Sequence, residues 1–331
     1  MVAACHSASE ALRNGSWQSS NATRASSSTA HHRTAALDAA GCAQADRWDW
    51  MPSVCRLNRL AYRAYCGRHI AFIGDSLSSQ SFNSLTIMLK ARPGFLCRAT
   101  TSALGSHVTC AVASSAGQAP WCTITTSHVV SHFLCHDGCE RAEYSEGAGR
   151  HQASSTPLSA LLQSQQSPSF VGADLVFATG LHWTTNHANM DIGAAAVHAL
   201  LRANLRACIA LAAQLNASSS HFRTLWPGHQ HCTSHVNHGP VAAEIPYVEN
   251  NPYRWHEVLA LNQIVADECS AAPKCIYHDL RSMSALRPDA HMHWQPTNPG
   301  VDCAHWCLLG GPMEWSNVVL QAQLAGLARH P

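Results

Sequence analysis

The chain runs to 331 residues, enough to bury the core of one large domain or two modest ones. Charged residues make up 12%, about half the roughly 25% of ordinary soluble domains, and hydrophobic residues 46%, which excludes a disordered polyelectrolyte. The 21 Lys and Arg against 20 Asp and Glu leave a net charge of +1 with no basic run, so non-specific nucleic-acid binding has no electrostatic basis.

Residues 1–47 are rich in Ser, Ala, Thr and His with weak periodicity, which predicts a loosely structured lead-in to a domain over 48–331. Ile70–Ile73 reads as a buried strand stopping at Gly74, followed by a helix over Gln80–Lys90 with Phe82, Leu85 and Leu89 on one face. Cys122–Val130 is strand-like through its β-branched content, and Asp174–Ala178 is a further short buried strand. Asp191–Leu215 is a long alanine-rich helix carrying Arg202 and Arg206 one turn apart. Phe222–Leu225 and Cys275–His278 are candidate strands around a helix near Glu257–Glu268, and Glu314–Leu327 closes the chain as a helix. This alternation predicts a three-layer α/β/α sandwich with a mostly parallel sheet. In such sheets chemistry collects beyond the carboxyl ends of strands, here after Ile73, Ala178, Leu225 and His278.

The 15 cysteines are spread over the whole length, mostly outside CxxC pairs. That pattern points to disulfides in an oxidising compartment; buried free thiols from a composition bias are the other reading. Sequons at Asn14, Asn21 and Asn216 fit a secretory route. Neither a basic n-region nor an apolar h-region follows Met1, and no stretch reaches the ~18 apolar residues of a membrane span. Either the chain is cytosolic or its natural start lies upstream of Met1, and the cysteines favour the second.

The sharpest local feature is IAFIGDSLSSQSF over residues 70–82. A buried strand runs into Gly74, which permits a tight turn, and Ser76 then sits near a helix N-terminus able to stabilise an oxyanion. The plain structural alternative is that Ser76 or Ser78 caps the helix. The second feature is Asp302 and His305, three apart and close enough on a turn to face the same way. A carboxylate that holds an imidazole in one tautomer makes a general base, and such a base activates a serine. Serine early and D-x-x-H late is the chain order of GDSL/SGNH hydrolases. A metal site from Cys303, His305 and Cys307 is the competing reading, but no matched second pair completes tetrahedral coordination.

These segments resemble the trichome-birefringence-like proteins of the PC-esterase branch of the SGNH superfamily over about residues 48–327. WDWMPSVC resembles the family's W-R-W-x-P-x-x-C, GDSLSSQSFNSL its GDSLSRNQWESL, and ATGLHW its N-T-G-H-W-W. FRTLWPGHQHC, LRPDAH and DCAHWCLLGGPMEWSNVVL are similar to F-R-T-x-S-P-x-H-F…C, L-R-x-D-G-H and DCSHWCLPGxPDxWNxLL. Ala178 replaces the family's Asn and Leu309 its Pro.

The resemblance implies a polysaccharide O-acetyltransferase of the Golgi lumen, usually tethered by an N-terminal membrane helix. Ser76 would be the nucleophile, His305 the base and Asp302 its orienting carboxylate. It implies a polysaccharide acceptor and an acetyl donor, acetyl-CoA or another carrier, with no permanently bound cofactor and no metal. A carbohydrate acetyl esterase with the same triad, and a non-catalytic glycan-binding or wall-organising protein, are the alternatives. His182, at the place of the SGNH oxyanion asparagine, and Gly105 are the oxyanion candidates; packing beside Trp183 is the other reading of His182. Trp183 and Trp306 are candidate sugar platforms and Arg223 a candidate sugar contact, against core packing and an internal ion pair. The clustered His229, His231, Cys232, His235 and His238 look metal-like by composition, but Cys232 matches a family cysteine, which favours a disulfide. Cys303 and Cys307 are expected to be bridged to distant cysteines, with Cys232 and Cys42 as partners.

Overall fold

The computed structural model describes residues 4–5, 7–12, 14–20, 42, 45–53, 55–57, 62–102, 105–112, 120–131, 158, 162, 168–179, 181–184, 193–236, 238–247, 253–293 and 301–327. Asn21 and the expected helix start at Asp191 lie outside them. In chain order the elements are α1 (Ala8–Leu12), β1 (Ser16–Ser19), β2 (Trp48–Met51), β3 (His69–Gly74), α2 (Ser76–Lys90), β4 (Phe95–Ser102), β5 (Gly105–Val112), β6 (Thr123–Val130) and β7 (Asp174–Ala178). They continue as α3 (Ala194–Gln214), β8 (Ser219–Arg223), α4 (Val258–Ser270), β9 (Cys275–His278), α5 (Arg281–Ser284), β10 (His291–His293), β11 (Val301–Trp306) and α6 (Pro312–Leu327).

Seven strands form one sheet in the order β4-β5-β6-β3-β7-β8-β9. From β6 to β9 the pairings are parallel, and β4 and β5 add an antiparallel hairpin. Alternation along β3 explains the layers. Ala71 and Ile73 face a core with Leu201 and Leu205 of α3 and Leu261 of α4, whereas Ile70 and Phe72 face Phe82 and Leu85 of α2 and Leu320 of α6. The chain is a disulfide-stapled α/β/α sandwich of SGNH-like type, with six disulfides among the described residues. Contrary to the expectation from sequence, one helix among the described residues, α3, is long and apolar enough by composition to cross a membrane, and its Val197, Leu201, Leu205 and Leu211 pack in the core. Both neighbours of β3 follow it in the chain and flank it on opposite sides, β6 on one and β7 on the other, and this reversal of strand order opens a crevice at its carboxyl end.

The described residues of the lead-in are built into the domain. Among its described residues α1 packs inward, and β1 pairs antiparallel with β2 across the expected boundary at 47/48. Trp17 donates from Nε1 to the Met283 carbonyl and Trp50 to the Ala11 carbonyl, each at 2.9 Å. Cys5–Cys55 and Cys42–Cys307 tie this segment to the domain. Isolated tryptophans and cysteines, rather than periodicity, do the anchoring, so the local pattern was silent.

Candidate active site

Gly74 ends β3 at φ +152°, and a Cβ there would lie 1.6 Å from the Ala178 carbonyl oxygen, so only glycine lets β3 and β7 end side by side. Asp75 is the N-cap of α2, its Oδ1 accepting the Leu77 N–H at 2.9 Å, and capping is therefore not the work of Ser76 or Ser78. The buried Asp75 also accepts from Thr179 Oγ1 at 3.4 Å. Ser76, left without that duty, is exposed at the first position of α2.

Asp302 and His305 lie within β11 rather than on a turn. In a regular strand, residues three apart point to opposite faces. The β10–β11 register, however, jumps: Met292 pairs with Asp302 and His291 with Trp306, so residues 303–305 bulge out of the ladder. Asp302 closes that bulge, its Oδ1 accepting the N–H groups of Ala304 at 2.9 Å and His305 at 3.2 Å. Its Oδ2 lies 2.6 Å from His305 Nδ1, and His305 Nε2 lies 2.7 Å from Ser76 Oγ. A carboxylate accepts only, so His305 carries its proton on Nδ1 and offers the Nε2 lone pair to the Ser76 hydroxyl. The Cys232–Cys303 and Cys42–Cys307 bridges clamp the strand at two points. Gly228 permits the close approach, since a Cβ there would sit 2.2 Å from both the Cys303 carbonyl oxygen and the Trp255 ring.

The other sequence candidates fall elsewhere. His182 lies beside the site, but its Nε2 faces Asp75 Oδ2 at 3.9 Å. Gly105 sits on β5, with β6 between it and β3, two strand spacings or about 10 Å from the strand that ends at Ser76. Trp183 and Trp306 are both fully buried, which removes them as sugar platforms: the first packs in the α3/α4 core, the second against Trp226, His229 and His291. Arg223 is buried too, donating to the Ser316 carbonyl at 3.3 Å and Asn317 Oδ1 at 3.0 Å, with its guanidinium 5.4 Å from the Phe72 ring centre. It is an internal contact between sheet and α6, and Arg287 pairs with Asp289 at 2.8 Å in the same buried manner. Leu77 N–H and Ser79 N–H are taken by Asp75, so Ser76 N–H is the helix-terminal donor nearest the hydroxyl.

Three buried residues beside the site were not singled out by sequence as parts of it. Gln80 and His291 contact the backbone of Trp306 and His305, and His229 contacts His291. The one available signal was that Gln80 falls one turn after Ser76. Burial pushes His229 down to about 4 and His291 well below the usual imidazole range, so both are neutral near pH 7. Among the described residues no group of three His, Cys, Asp or Glu converges on a metal position; Cys232, Cys303 and Cys307 are all in disulfides.

Residues 60–322 match the PC-Esterase family, the GDSL/SGNH-like acyl-esterase family found in Pmr5 and Cas1p. The chain is also similar to the protein trichome berefringence-like 7 of Arabidopsis thaliana, 25% identical over 295 residues, which cover 83% of this chain and 63% of that protein. It thus spans less than two thirds of the relative's length.

Proposed function

Because the chain belongs to the PC-Esterase family of GDSL/SGNH-like acyl-esterases, we propose that it transfers acetyl groups to polysaccharide hydroxyls through an acetyl-Ser76 intermediate. The observation that carries this reading is the pair of contacts Asp302 Oδ2–His305 Nδ1 at 2.6 Å and His305 Nε2–Ser76 Oγ at 2.7 Å. His305 takes the hydroxyl proton as Ser76 Oγ attacks the donor carbonyl, and Asp302 stabilises the imidazolium that forms. The Ser76 N–H at the α2 terminus faces the developing oxyanion. The imidazolium then gives its proton to the leaving group. A sugar hydroxyl, deprotonated by His305, next attacks the acetyl-serine and restores the free hydroxyl of Ser76. The donor is acetyl-CoA or another acetyl carrier. Disulfides through both ends of the chain support folding in an oxidising secretory compartment, with the Golgi lumen as the proposed site of action.

The exposure of Ser76 favours a second reading, a carbohydrate acetyl esterase in which water is the acceptor. One experiment tests both. Incubation with an acetyl donor is expected to add one acetyl group to the Ser76 peptide, seen by mass spectrometry and abolished in Ser76→Ala. Bare glycan then collects the label from a transferase, whereas an esterase releases acetate from acetylated glycan. Acetyl-enzyme formation that persists in Ser76→Ala refutes the assignment.

A further inference from the structure

The peptide joining His305 to Trp306 is held on both sides by side chains outside the triad. Gln80 accepts the Trp306 N–H with Oε1 at 3.1 Å and donates from Nε2 to the Trp306 carbonyl at 3.0 Å. The His305 carbonyl lies 2.8 Å from His291 Nδ1, and a carbonyl accepts only, so His291 donates. Behind it, His291, whose Nδ1 proton goes to that carbonyl, accepts at Nε2 from His229 Nδ1 at 2.7 Å. Gln80 is 7% exposed, His229 1% and His291 0%, so none of the three reaches a substrate.

The need for such a brace follows from the bulge. Residues 303–305 have left the β10–β11 ladder, and backbone groups out of a ladder are neither oriented nor satisfied by it. His305 is therefore aimed by a segment with no regular pairing of its own, while its ring must stay within hydrogen-bond reach of a serine on another element. Gln80 spans that division. It stands one turn from Ser76 on α2 and grips the residue after His305, so one amide links the element carrying the hydroxyl to the strand carrying the imidazole.

We propose that Gln80 and His291 are positioning residues of the acyl-transfer site, Gln80 setting the separation of α2 from the His305 strand and His291 fixing the tilt of the His305 peptide. The inference rests on the function proposed above. It is tested with Gln80→Leu, His291→Phe and His291→Asn, whose amide nitrogen stands where Nδ1 was. One readout is the rate of Ser76 capture by a fluorophosphonate, with kcat and KM on 4-nitrophenyl acetate. The other needs no turnover: Trp306 amide exchange and the His305 ring 15N shifts by NMR.

Gln80→Leu and His291→Phe are expected to lower capture and kcat on the order of 100-fold with KM nearly unchanged, as a small misplacement of a base does. His291→Asn regains most of the loss, and the Trp306 amide exchanges faster in Gln80→Leu. Unchanged rates, or NMR signals that do not move, overturn the proposal, as does a loss that tracks the unfolded fraction with no rescue by His291→Asn. If Gln80→Leu does not fold, Gln80→Glu keeps the acceptor for Trp306 N–H, loses the donor to its carbonyl, and is scored the same way. If the wild-type protein captures no probe, Ser76 is not the nucleophile, and the Trp306 and His305 signals still decide whether Gln80 and His291 hold the strand.

Discussion

Acidification below pH 6.5 is expected to unfold this protein steeply, and buried histidines set the magnitude. Burial lowers His128 to about 4, His221 to about 3 and His229 to about 4, against roughly 6.5 in an unfolded chain. His278 and His291 are also pushed down, but each contacts one of these rings, so each pair counts as one centre for its first proton. Since the folded values lie below the unfolded one, the unfolded chain binds protons first as pH falls. The stability is complete above about pH 6.5 and drains away toward pH 4. At pH 5 each of the three centres has lost about 2 kcal/mol, together roughly 6 kcal/mol, comparable with the whole ~5–15 kcal/mol of a typical domain. Guanidinium unfolding at pH 8, 6.5 and 5 with disulfides intact measures this directly. His128→Phe keeps the stacking on Phe82 and is expected to flatten the slope by about a third. A midpoint that does not move between pH 8 and pH 5, or a slope that His128→Phe leaves intact, refutes the reasoning.

Removing the Cys232–Cys303 bridge as the double serine variant should cost about 4 kcal/mol by the loop-closure estimate for its 71-residue separation, read as a lower unfolding midpoint. Activity should fall further than the folded fraction, because the bridge holds the residue next to Asp302; equal falls argue against a role at the site. Gly74→Ala would drive a Cβ into the Ala178 carbonyl and is expected to yield little folded protein, and a soluble variant with wild-type melting contradicts the close approach. Trp183→Phe and Trp306→Phe should lower thermal stability and leave KM for glycan unchanged, since neither ring meets solvent. A raised KM with unchanged melting would return them to the surface.

Much of the architecture was legible because it is locally encoded. The apolar run Ile70–Ile73 before Gly74 marks a central strand, and the helical spacing of Phe82, Leu85 and Leu89 marks the helix after it. The β4–β5 hairpin escaped notice: its RATTS and GSHVT stretches are too polar to read as buried strands and join the sheet at an edge. The helix after Gly74 also begins four residues earlier than its apolar periodicity suggests, because Asp75 supplies the cap.

Covalent order alone determined which groups this chain has to work with: a serine just past a glycine-terminated strand, an aspartate three residues before a histidine, and cysteines around both. Chain folding decided what they do. Side-chain facing in a strand alternates by rule, so the bulge in β11 and the Asp302 contacts that close it were needed to turn His305 toward Ser76. Burial decided the rest. Tryptophan and arginine look the same in a sequence whether they face a sugar or a core, and only the packing of distant segments withdrew Trp183, Trp306 and Arg223 from solvent.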